Sequence, residues 1–146
     1  MATYSFLDVT ASLTGPTGVI DLGQGSANSE EGITQTMSGN KNTMTIGADG
    51  EVMHSLHADK SGTITVTLLK TSPVNKKLSL AYNAQSQSSA TWGNNVIVIR
   101  NTASGDISTA RSCAFQKQPD FNNAKEGGTV AWVFDCGKID QLLGEF

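Results

Sequence analysis

The stretch from Lys60 to Gln87, which begins KSGTITVTLLKTSPVNKKLSLAYNAQ, predicts a strand that turns a sharp corner into an amphipathic helix. Threonines alternate with apolar side chains from Thr63 to Leu68, the period of two that is typical of a strand with one covered face. Ser72 stands where a helix N-cap belongs, and Pro73 follows where its missing N–H costs nothing. Apolar residues then recur at helical spacing, so we expect a helix over about 73–86.

The length and composition favour one domain, expected over residues 1–146, with a polar but weakly charged surface. Of the 146 residues, 16% are charged, and the formal net charge is −3. The ten lysines and arginines are scattered, so the sequence offers no basic patch that would grip phosphates. This composition is typical of β-rich assembly subunits and adhesins, and it argues against tight binding of nucleic acid.

The cysteines and the N-terminus indicate a protein made in a reducing compartment. Cys113 and Cys136 lie in separate apolar segments, and two thiols do not make a disulfide scaffold in a chain of this length. A disulfide stays open, but buried free cysteines are favoured. The N-terminal MATYSFLDV lacks the regions of a signal peptide, and apolar runs such as Val96 to Ile99 are far too short to cross a bilayer. We therefore expect no membrane-spanning segment.

Short alternating segments on both sides of the helix predict seven or eight strands. The expected strands begin near Leu7, Val19, Ile33, Thr63, Val96, Arg111 and Val130. Residues 23–32 are expected to form an exposed loop, and the tail from Lys138 to Phe146 is expected to form a short helical turn. Many short strands with one helix predict a mainly β fold, a β-sandwich or small β-barrel with one flanking α-helix. The uncharged threonine face of the central strand does not protect an edge as lysines would, which suggests that a neighbouring subunit completes an edge or face.

The segment of about 39–59 is an unusually long excursion for a compact domain. It combines a strong tight-turn signal, Asp49-Gly50, with apolar residues that a single subunit would struggle to cover. These apolar residues are Met44, Ile46, Val52, Met53 and Leu56. The methionines favour an adaptable contact surface over disorder, so we interpret the excursion as a loose hairpin that contacts another protein.

No combination of residues predicts an active site, a metal site or a cofactor. His54 and His57 are the only histidines, and a structural zinc site needs four ligands, so two exposed loop histidines are favoured. The serines lie in no G-x-S-x-G turn, and the chain has no P-loop, dinucleotide fingerprint or C-x-x-C. Glu30 and Glu31 are adjacent, so on a strand they point to opposite faces and are better explained as solvated or subunit-facing. We expect a protein that is not an enzyme.

Two further features allow a functional and a structural interpretation. Lys76 and Lys77 fall in the first turn of the helix, where the helix dipole disfavours cations. They either meet an acidic patch on a partner or are simply solvated. Trp132 lies in the alternation of a core strand, whereas Trp92 lies in a polar linker and is the aromatic residue with a chance of contacting a partner.

The ordered set of segments resembles the tail tube proteins of contractile-tailed bacteriophages and prophages. The resemblance is carried by TYSFLDVTASLTGP at the N-terminus, GADGEVMHSLHADKSG in the excursion, the TSPVN corner before the helix, and the closing GGTVAWVFDCGKID. It covers nearly the whole chain. No single segment is chemically diagnostic, and the order of the segments is what is specific.

The resemblance implies a structural subunit that self-assembles into stacked hexameric rings, in which sheets of neighbouring subunits join into a continuous ring. It implies that the excursion with its Asp49-Gly50 turn contacts neighbouring subunits and rings, and that the helix, with Lys76 and Lys77, faces the tail sheath. The implied partners are the sheath, the baseplate or tail terminator, and the tape measure protein, with DNA only in transit during ejection. The implied location is the virion tail, assembled in the host cytoplasm.

Other functions fit parts of the sequence. A tube of a contractile secretion or bacteriocin machine would share the fold and differ in whether a genome passes through. A β-sandwich module that binds a receptor or a carbohydrate would use Trp92 and the polar loops. An enzyme is the least favoured class.

Overall fold

Nine strands and one α-helix make up the fold in the computed structural model, which describes residues 2–23 and 28–146 and, over 28–31, the backbone alone. The strands are β1 (Val9–Gly15), β2 (Gly18–Asp21), β3 (Asn28–Met37), β4 (Asn42–Ile46), β5 (Val52–Leu56), β6 (Gly62–Leu69), β7 (Asn95–Asn101), β8 (Asp106–Phe115) and β9 (Thr129–Leu142), and the helix is α1 (Val74–Gln85). A 3-10 turn, Phe6–Asp8, precedes β1.

Seven strands form one antiparallel sheet in the order β2-β1-β7-β8-β9-β6-β3. Strands β4 and β5 pair only with each other, as a separate hairpin between β3 and β6. Within the described residues, the outermost strands β2 and β3 do not pair with each other, so the sheet is open and leaves two edges. The prediction of a mainly β fold with one flanking helix is confirmed.

The sheet folds over on itself where β8 and β9 bend, at Ser112 and Gly137. Ser112 has a φ of 54°, and a side chain on Gly137 would press against Ser112. On β3, Gln35 donates to Gln141 Oε1 of β9 (2.9 Å) and accepts from the Ser108 hydroxyl of β8. Because β3 and β8 lie three strands apart in the order, roughly 14 Å in a flat sheet, these contacts require strong curvature.

The bend divides the sheet into two leaves with the core between them. The front leaf consists of β3, β6, residues 129–136 of β9 and residues 113–115 of β8, and the back leaf consists of the rest of β8 and β9 with β7, β1 and β2. Fully or almost fully buried apolar side chains from both leaves fill the space between them, among them Leu13, Ile64, Val66, Leu68, Ile97, Phe134 and Ile139.

Helix α1 packs on the inner side of this sheet and completes the core. The helix lies within the expected 73–86, but Pro73 is the residue directly before it and not its first residue. Ser72 lies one position earlier than a cap, and its Oγ still accepts from the N–H of Val74 at 3.3 Å. Leu78 and Ala81 are buried, and Tyr82 meets Phe115 edge to face. The apolar stripe of the helix therefore faces the aromatic part of the core.

Four details of the sequence prediction differ from the structure. Leu7 lies in the 3-10 turn and is exposed, so the first strand begins at Val9. Met37 ends β3 at its pairing with Gly62 instead of continuing a strand that begins at Ile33. Arg111 is exposed although Cys113 is buried, because β8 has an irregular register against β7 at this point. The tail continues β9 to Leu142 and is not helical there.

Part of the predicted exposed loop at 23–32 belongs to β3, which begins at Asn28. The remaining loop residues, 24–27, and the side chains of Glu30 and Glu31 lie outside the described part of the chain.

Candidate assembly surface

Residues 38–61, here called the finger, extend the paired strands β3 and β6 beyond the end of the main sheet. Ser38 N–H donates to Ser61 O (3.0 Å) directly after the last β3–β6 pair. The chain then forms the β4–β5 hairpin, and His57 N–H donates to Lys41 O (2.9 Å) at its base. A two-stranded hairpin is marginally stable on its own in water, and among the described strands β4 and β5 pair only with each other.

The predicted turn at Asp49-Gly50 lies at the tip of the finger. Gly50 has a φ of 88°, which glycine adopts without strain. Asp49 Oδ1 accepts from Glu51 N–H (3.2 Å), and Gly47 N–H donates to Glu51 O (2.7 Å). Backbone and aspartate hydrogen bonds therefore close the tip without any contact from the rest of the chain.

The two faces of the finger differ in polarity, because successive residues of a strand point to opposite sides and directly paired residues share a side. The apolar face holds Met44, Ile46, Val52 and Leu56, with Asn42 and His54 beside them. The opposite face holds Thr43, Thr45, Ser55 and Met53. Met44, Ile46, Val52 and Leu56 are between 52% and 82% exposed, so the subunit itself does not cover the apolar face. Of the five apolar residues that the sequence singles out, Met53 alone faces the other way.

Both histidines form hydrogen bonds within the finger. His54 Nδ1 lies 3.2 Å from Asn42 Nδ2, and His57 Nε2 lies 2.6 Å from Thr43 Oγ1. These pairs run diagonally across β4 and β5 on opposite faces. Over residues 2–23 and 28–146, no group of three or more His, Cys, Asp or Glu side chains is arranged to hold a metal ion.

Two aspartates stabilise the base of the finger: Asp140 links it to the main sheet, and Asp59 bonds within the base itself. Asp140 on β9 accepts from Lys60 Nζ at 3.1 Å and from Arg111 at 3.1 Å. The hydrogen bond from Lys60 and the neighbouring cations lower the pKa of Asp140. Asp59 Oδ1 accepts from Ser61 N–H at 2.8 Å, and its hydrogen bonds to Ser61 lower the pKa of Asp59. Both carboxylates are therefore held in the charged form at neutral pH.

The two open edges of the sheet are a second assembly feature. Strand β3 is paired on one side with β6, and strand β2 on one side with β1, within the described residues. A strand edge that presents free N–H and C=O groups is a template for pairing with another chain. Next to β3, a cavity of about 610 Å³ opens between the leaves, and its lining includes Phe6, Ile33 and Ile99.

The outward side of the front leaf, here called the threonine face, is broad and almost uncharged. Its residues alternate with the buried ones and are Thr34, Thr36, Thr63, Thr65, Thr67, Ala131, Val133 and Asp135. This set contains one carboxylate and no lysine or arginine. Asp135 accepts from Gln116 Nε2 at 3.1 Å. The sequence predicts only the three β6 threonines of this face, because the partner strands that extend it are known only from the pairing.

The remaining candidates from the sequence have different surroundings. Lys76 and Lys77 are exposed in the first turn of α1, which contains no acidic residue, and neither forms an ion pair within the described part of the chain. Trp92 is packed: its ring meets Tyr82 edge to face at 5.8 Å and lies 6.4 Å from the Phe115 ring. Trp92 is half-buried and belongs to the aromatic cluster, so packing accounts for this residue without a carbohydrate ligand.

The fold matches those of tube proteins from contractile injection systems. A chain of the PVC sheath–tube complex in its extended state, from an extracellular contractile injection system, is 11% identical, with a TM-score of 0.61 over 97% of this chain and 92% of that one. The PVC sheath/tube terminator is 12% identical, with a TM-score of 0.60 over 97% and 98%. The tube-terminating cap of the anti-feeding prophage is 10% identical, with a TM-score of 0.55 over 99% and 95%. No protein with a curated description matches the sequence.

The family follows from the sequence itself. The model of the family described as "Bacteriophage PhiTE tail tube protein" matches residues 1–144. The chain belongs to this phage tail tube family, as the resemblance predicts, and is a structural subunit of the tail tube of a virion. Across the residues that the structure describes, α1 is not long or apolar enough to cross a membrane.

Proposed function

We propose that the chain polymerises with copies of itself into stacked hexameric rings that form a hollow tube, the conduit through which DNA leaves during ejection by a contractile tail. The observation that carries this proposal is the exposed apolar face of the finger. Membership of the tail tube family and the shared fold support it. We further propose that the tube is assembled in the host cytoplasm.

The finger supplies the driving force for contact between subunits and between rings. Leu56 is 82% exposed, and Met44, Ile46 and Val52 are each more than half exposed on the same face. Burying such surface contributes about 25 cal/mol per Å² of apolar area. A second copy of the chain both covers this face and holds in place a hairpin that is marginal alone. The Asp49-Gly50 tip lets the finger reach across the junction as a single narrow ribbon.

The two sheet edges make the ring continuous in this proposal. An interface that joins one edge of a subunit to the opposite edge of the next is heterologous, and such an interface generates a ring when the rotation closes. Strands β2 and β3 lie at opposite ends of the strand order, as a head-to-tail contact requires. Each junction adds backbone hydrogen bonds between the outer edge of β2 in one subunit and the outer edge of β3 in the next.

The threonine face lines the bore in this proposal. DNA passes along a wall without sticking when the wall makes no ionic contacts with phosphates, since each such contact adds salt-dependent affinity. Thr63, Thr65 and Thr67 offer hydroxyl groups, and Asp135 repels phosphate. The back leaf and α1 then face outward, which places Lys76 and Lys77 on the outside of the tube.

The outer partner is the tail sheath, and the ends of the tube meet the baseplate or a terminator. One matched structure is that of a sheath–tube complex, and another is that of a sheath/tube terminator. Lys76 and Lys77 have no ion pair within the described chain and are free to meet an acidic segment of the sheath. The tape measure protein is the proposed occupant of the bore before DNA.

Electron microscopy of the purified protein tests self-assembly. We expect hollow rings or tubes from the unmodified chain, and small unassembled particles from the double variant Met44→Ser/Leu56→Ser. Thr45→Ala/Ser55→Ala is the matched control, because it alters the same two strands on the opposite face. Deleting Asn42–Leu56 should likewise leave a folded subunit that does not polymerise. Circular dichroism checks that each variant keeps its fold.

Two results would contradict the proposal. One is a purified chain that stays monomeric at all concentrations tested. The other is a Met44→Ser/Leu56→Ser variant that forms tubes as long as those of the control. A separate outcome, rings that do not bind sheath protein, would leave assembly intact and remove only the sheath contact.

Charge reversal tests the sheath contact. Lys76→Glu/Lys77→Glu should form normal tubes that sediment without sheath protein. Lys117→Glu/Lys125→Glu is the control, since it makes the same change of charge at exposed lysines outside α1, on the neighbouring segment that follows β8. Equal sheath binding by both variants would show that the helix lysines do not contact the sheath.

A further inference from the structure

Cys113 and Cys136 face each other directly across β8 and β9. Both thiols are free and buried, with side chains 0% and 3% exposed, and their sulfur atoms lie 3.1 Å apart. They are the only two cysteines of the sequence, and the proposed assembly surfaces do not include them. Among the described residues, neither belongs to a group that could hold a metal ion.

The antiparallel pairing of β8 and β9 places the two cysteines where a cross-strand disulfide can form. Gln116 N–H donates to Val133 O (2.9 Å), so residues 116 and 133 form a hydrogen-bonded pair. Pairs alternate along an antiparallel ladder, which makes Cys113 and Cys136, three pairs further along the same register, a non-hydrogen-bonded pair. Side chains approach most closely at such pairs. A disulfide needs the sulfur atoms about 1 Å closer than they are now.

The bend beside the pair gives the strands room to make that movement. Ser112, which precedes Cys113, and Gly137, which follows Cys136, are exposed, and Gly137 has no side chain. The irregular register between β7 and β8 is at the same point. Bulged strands can adjust locally without disturbing the rest of the ladder.

We propose that Cys113 and Cys136 are a redox modification site, at which a peroxide converts the two thiols into a cross-strand disulfide within one subunit. The bond would join β8 to β9 within the front leaf, directly beside the bend. The site goes beyond the tube function and forms whether or not the chain assembles.

The chemistry balances in two steps. The Cys136 thiolate attacks one peroxide oxygen, the O–O bond breaks, and a sulfenic acid forms as hydroxide leaves and takes a proton to become water. The Cys113 sulfur then attacks the Cys136 sulfur, the S–O bond breaks, and the departing hydroxide takes the Cys113 proton as a second water. Two thiols and one hydrogen peroxide give one disulfide and two waters, with two electrons passing from sulfur to oxygen.

The order of attack follows from the hydrogen bond between the thiols. The bond that Cys113 donates to Cys136, together with burial, raises the pKa of Cys113. The same bond lowers the pKa of Cys136, because it stabilises the thiolate that accepts it. Cys136 is therefore the sulfur that ionises and attacks first.

Intact mass measurement tests the proposal on the full chain. The folded protein is treated with a small excess of hydrogen peroxide, freed of peroxide, and only then unfolded in N-ethylmaleimide. We expect a monomeric mass lower by about 2 Da with no maleimide adduct, restored by a reductant. On oxidation the midpoint of thermal unfolding should rise by roughly 5 to 10 °C, because the bond restricts the unfolded chain.

Cys113→Ser is the matched variant. It leaves Cys136 without a resolving thiol, so oxidation should stop at a sulfenic acid about 16 Da heavier, which a 1,3-dione captures. Two maleimide adducts on the oxidised wild-type chain would overturn the proposal. So would disulfide-linked dimers in place of the monomeric product, or a disulfide that appears only after unfolding. The wild-type measurement decides the matter even if the variant does not fold.

Discussion

The aromatic core beneath α1 and the finger contain similar apolar side chains in opposite surroundings. Leu78 and Phe115 are almost fully buried, and the Phe115 ring contacts those of Tyr82 and Trp132. Leu56 on the finger is 82% exposed and has no such neighbours. The core completes its contacts within one chain, whereas the apolar face of the finger is covered only by another chain in the proposed tube. Under that proposal, apolar residues in one sequence serve two separate steps, folding and assembly.

Truncating a core side chain should have the largest effect on the free energy of unfolding, and it tests the contrast between core and finger. Phe115→Ala removes a ring that packs against those of Tyr82, Trp132 and Phe134. We expect the free energy of unfolding to fall by about 3–5 kcal/mol, as for other large-to-small core substitutions. Denaturant titration of the unassembled protein, at a concentration below that of ring formation, measures it.

Leu56→Ser is the comparison in the finger. In the same titration it should change the free energy of unfolding by less than about 0.5 kcal/mol, as is usual for exposed positions, while abolishing tubes. A destabilisation by Leu56→Ser close to that of Phe115→Ala would show that the finger is part of the folding core.

A buried amide pair should give the next largest effect. Gln85 at the end of α1 and Asn95 at the start of β7 are fully buried and exchange two side-chain hydrogen bonds, of 2.9 and 2.8 Å. Gln85→Met keeps the size of the side chain but leaves Asn95 short of partners. We expect a loss of about 1–3 kcal/mol, the cost of an unsatisfied buried polar group.

The double variant Gln85→Met/Asn95→Leu tests whether the pair acts as a unit. If it does, the loss in the double variant should be smaller than the sum of the two single losses. Strictly additive losses would mean that Gln85 and Asn95 stabilise the fold independently. The finger contains no buried polar pair among its described residues, so this comparison belongs to the core alone.

The strand–corner–helix unit was predictable because local and tertiary signals agree there. Ser72, Pro73 and the apolar stripe of α1 all favour the same helix, and Ile64 and Val66 alternate as the buried sheet requires. The exposed apolar residues of the excursion were also visible in the sequence. Their division between two faces was not, because it depends on the register of β4 against β5.

The tail and the bend were not predictable for a related reason. Ile139, Leu142 and Leu143 have a spacing that suits a helical turn, yet Ile139 pairs with Ala110 of β8, and tertiary pairing decides the conformation. The sequence around Ser112 does not predict its positive φ, whereas a glycine or asparagine at this position would have done so. The threonine face could be found only once β3, β6 and β9 were placed side by side.

Acid should loosen the base of the finger, the smallest of the expected effects. A carboxylate whose pKa is lowered by folding stabilises the fold above its unfolded pKa, and this contribution disappears as the pH falls through the folded value. The pKa values of Asp59 and Asp140 are both lowered from 3.8. Their contribution is therefore complete at neutral pH and should be lost progressively below about pH 4.

Hydrogen exchange of the backbone amide of Ser61 reports this change, because that N–H donates to Asp59. Exchange there should speed up as the pH falls below about 4, after correction for intrinsic rates, while the amides of β6 beyond Gly62 stay protected. Asp59→Asn/Asp140→Asn should exchange faster at neutral pH and lose the additional acid dependence. If the variant keeps the pH profile of the wild-type chain, the two carboxylates do not hold the base of the finger. Backbone pairing alone would then fix the finger to β3 and β6, as it does for the strands of the main sheet.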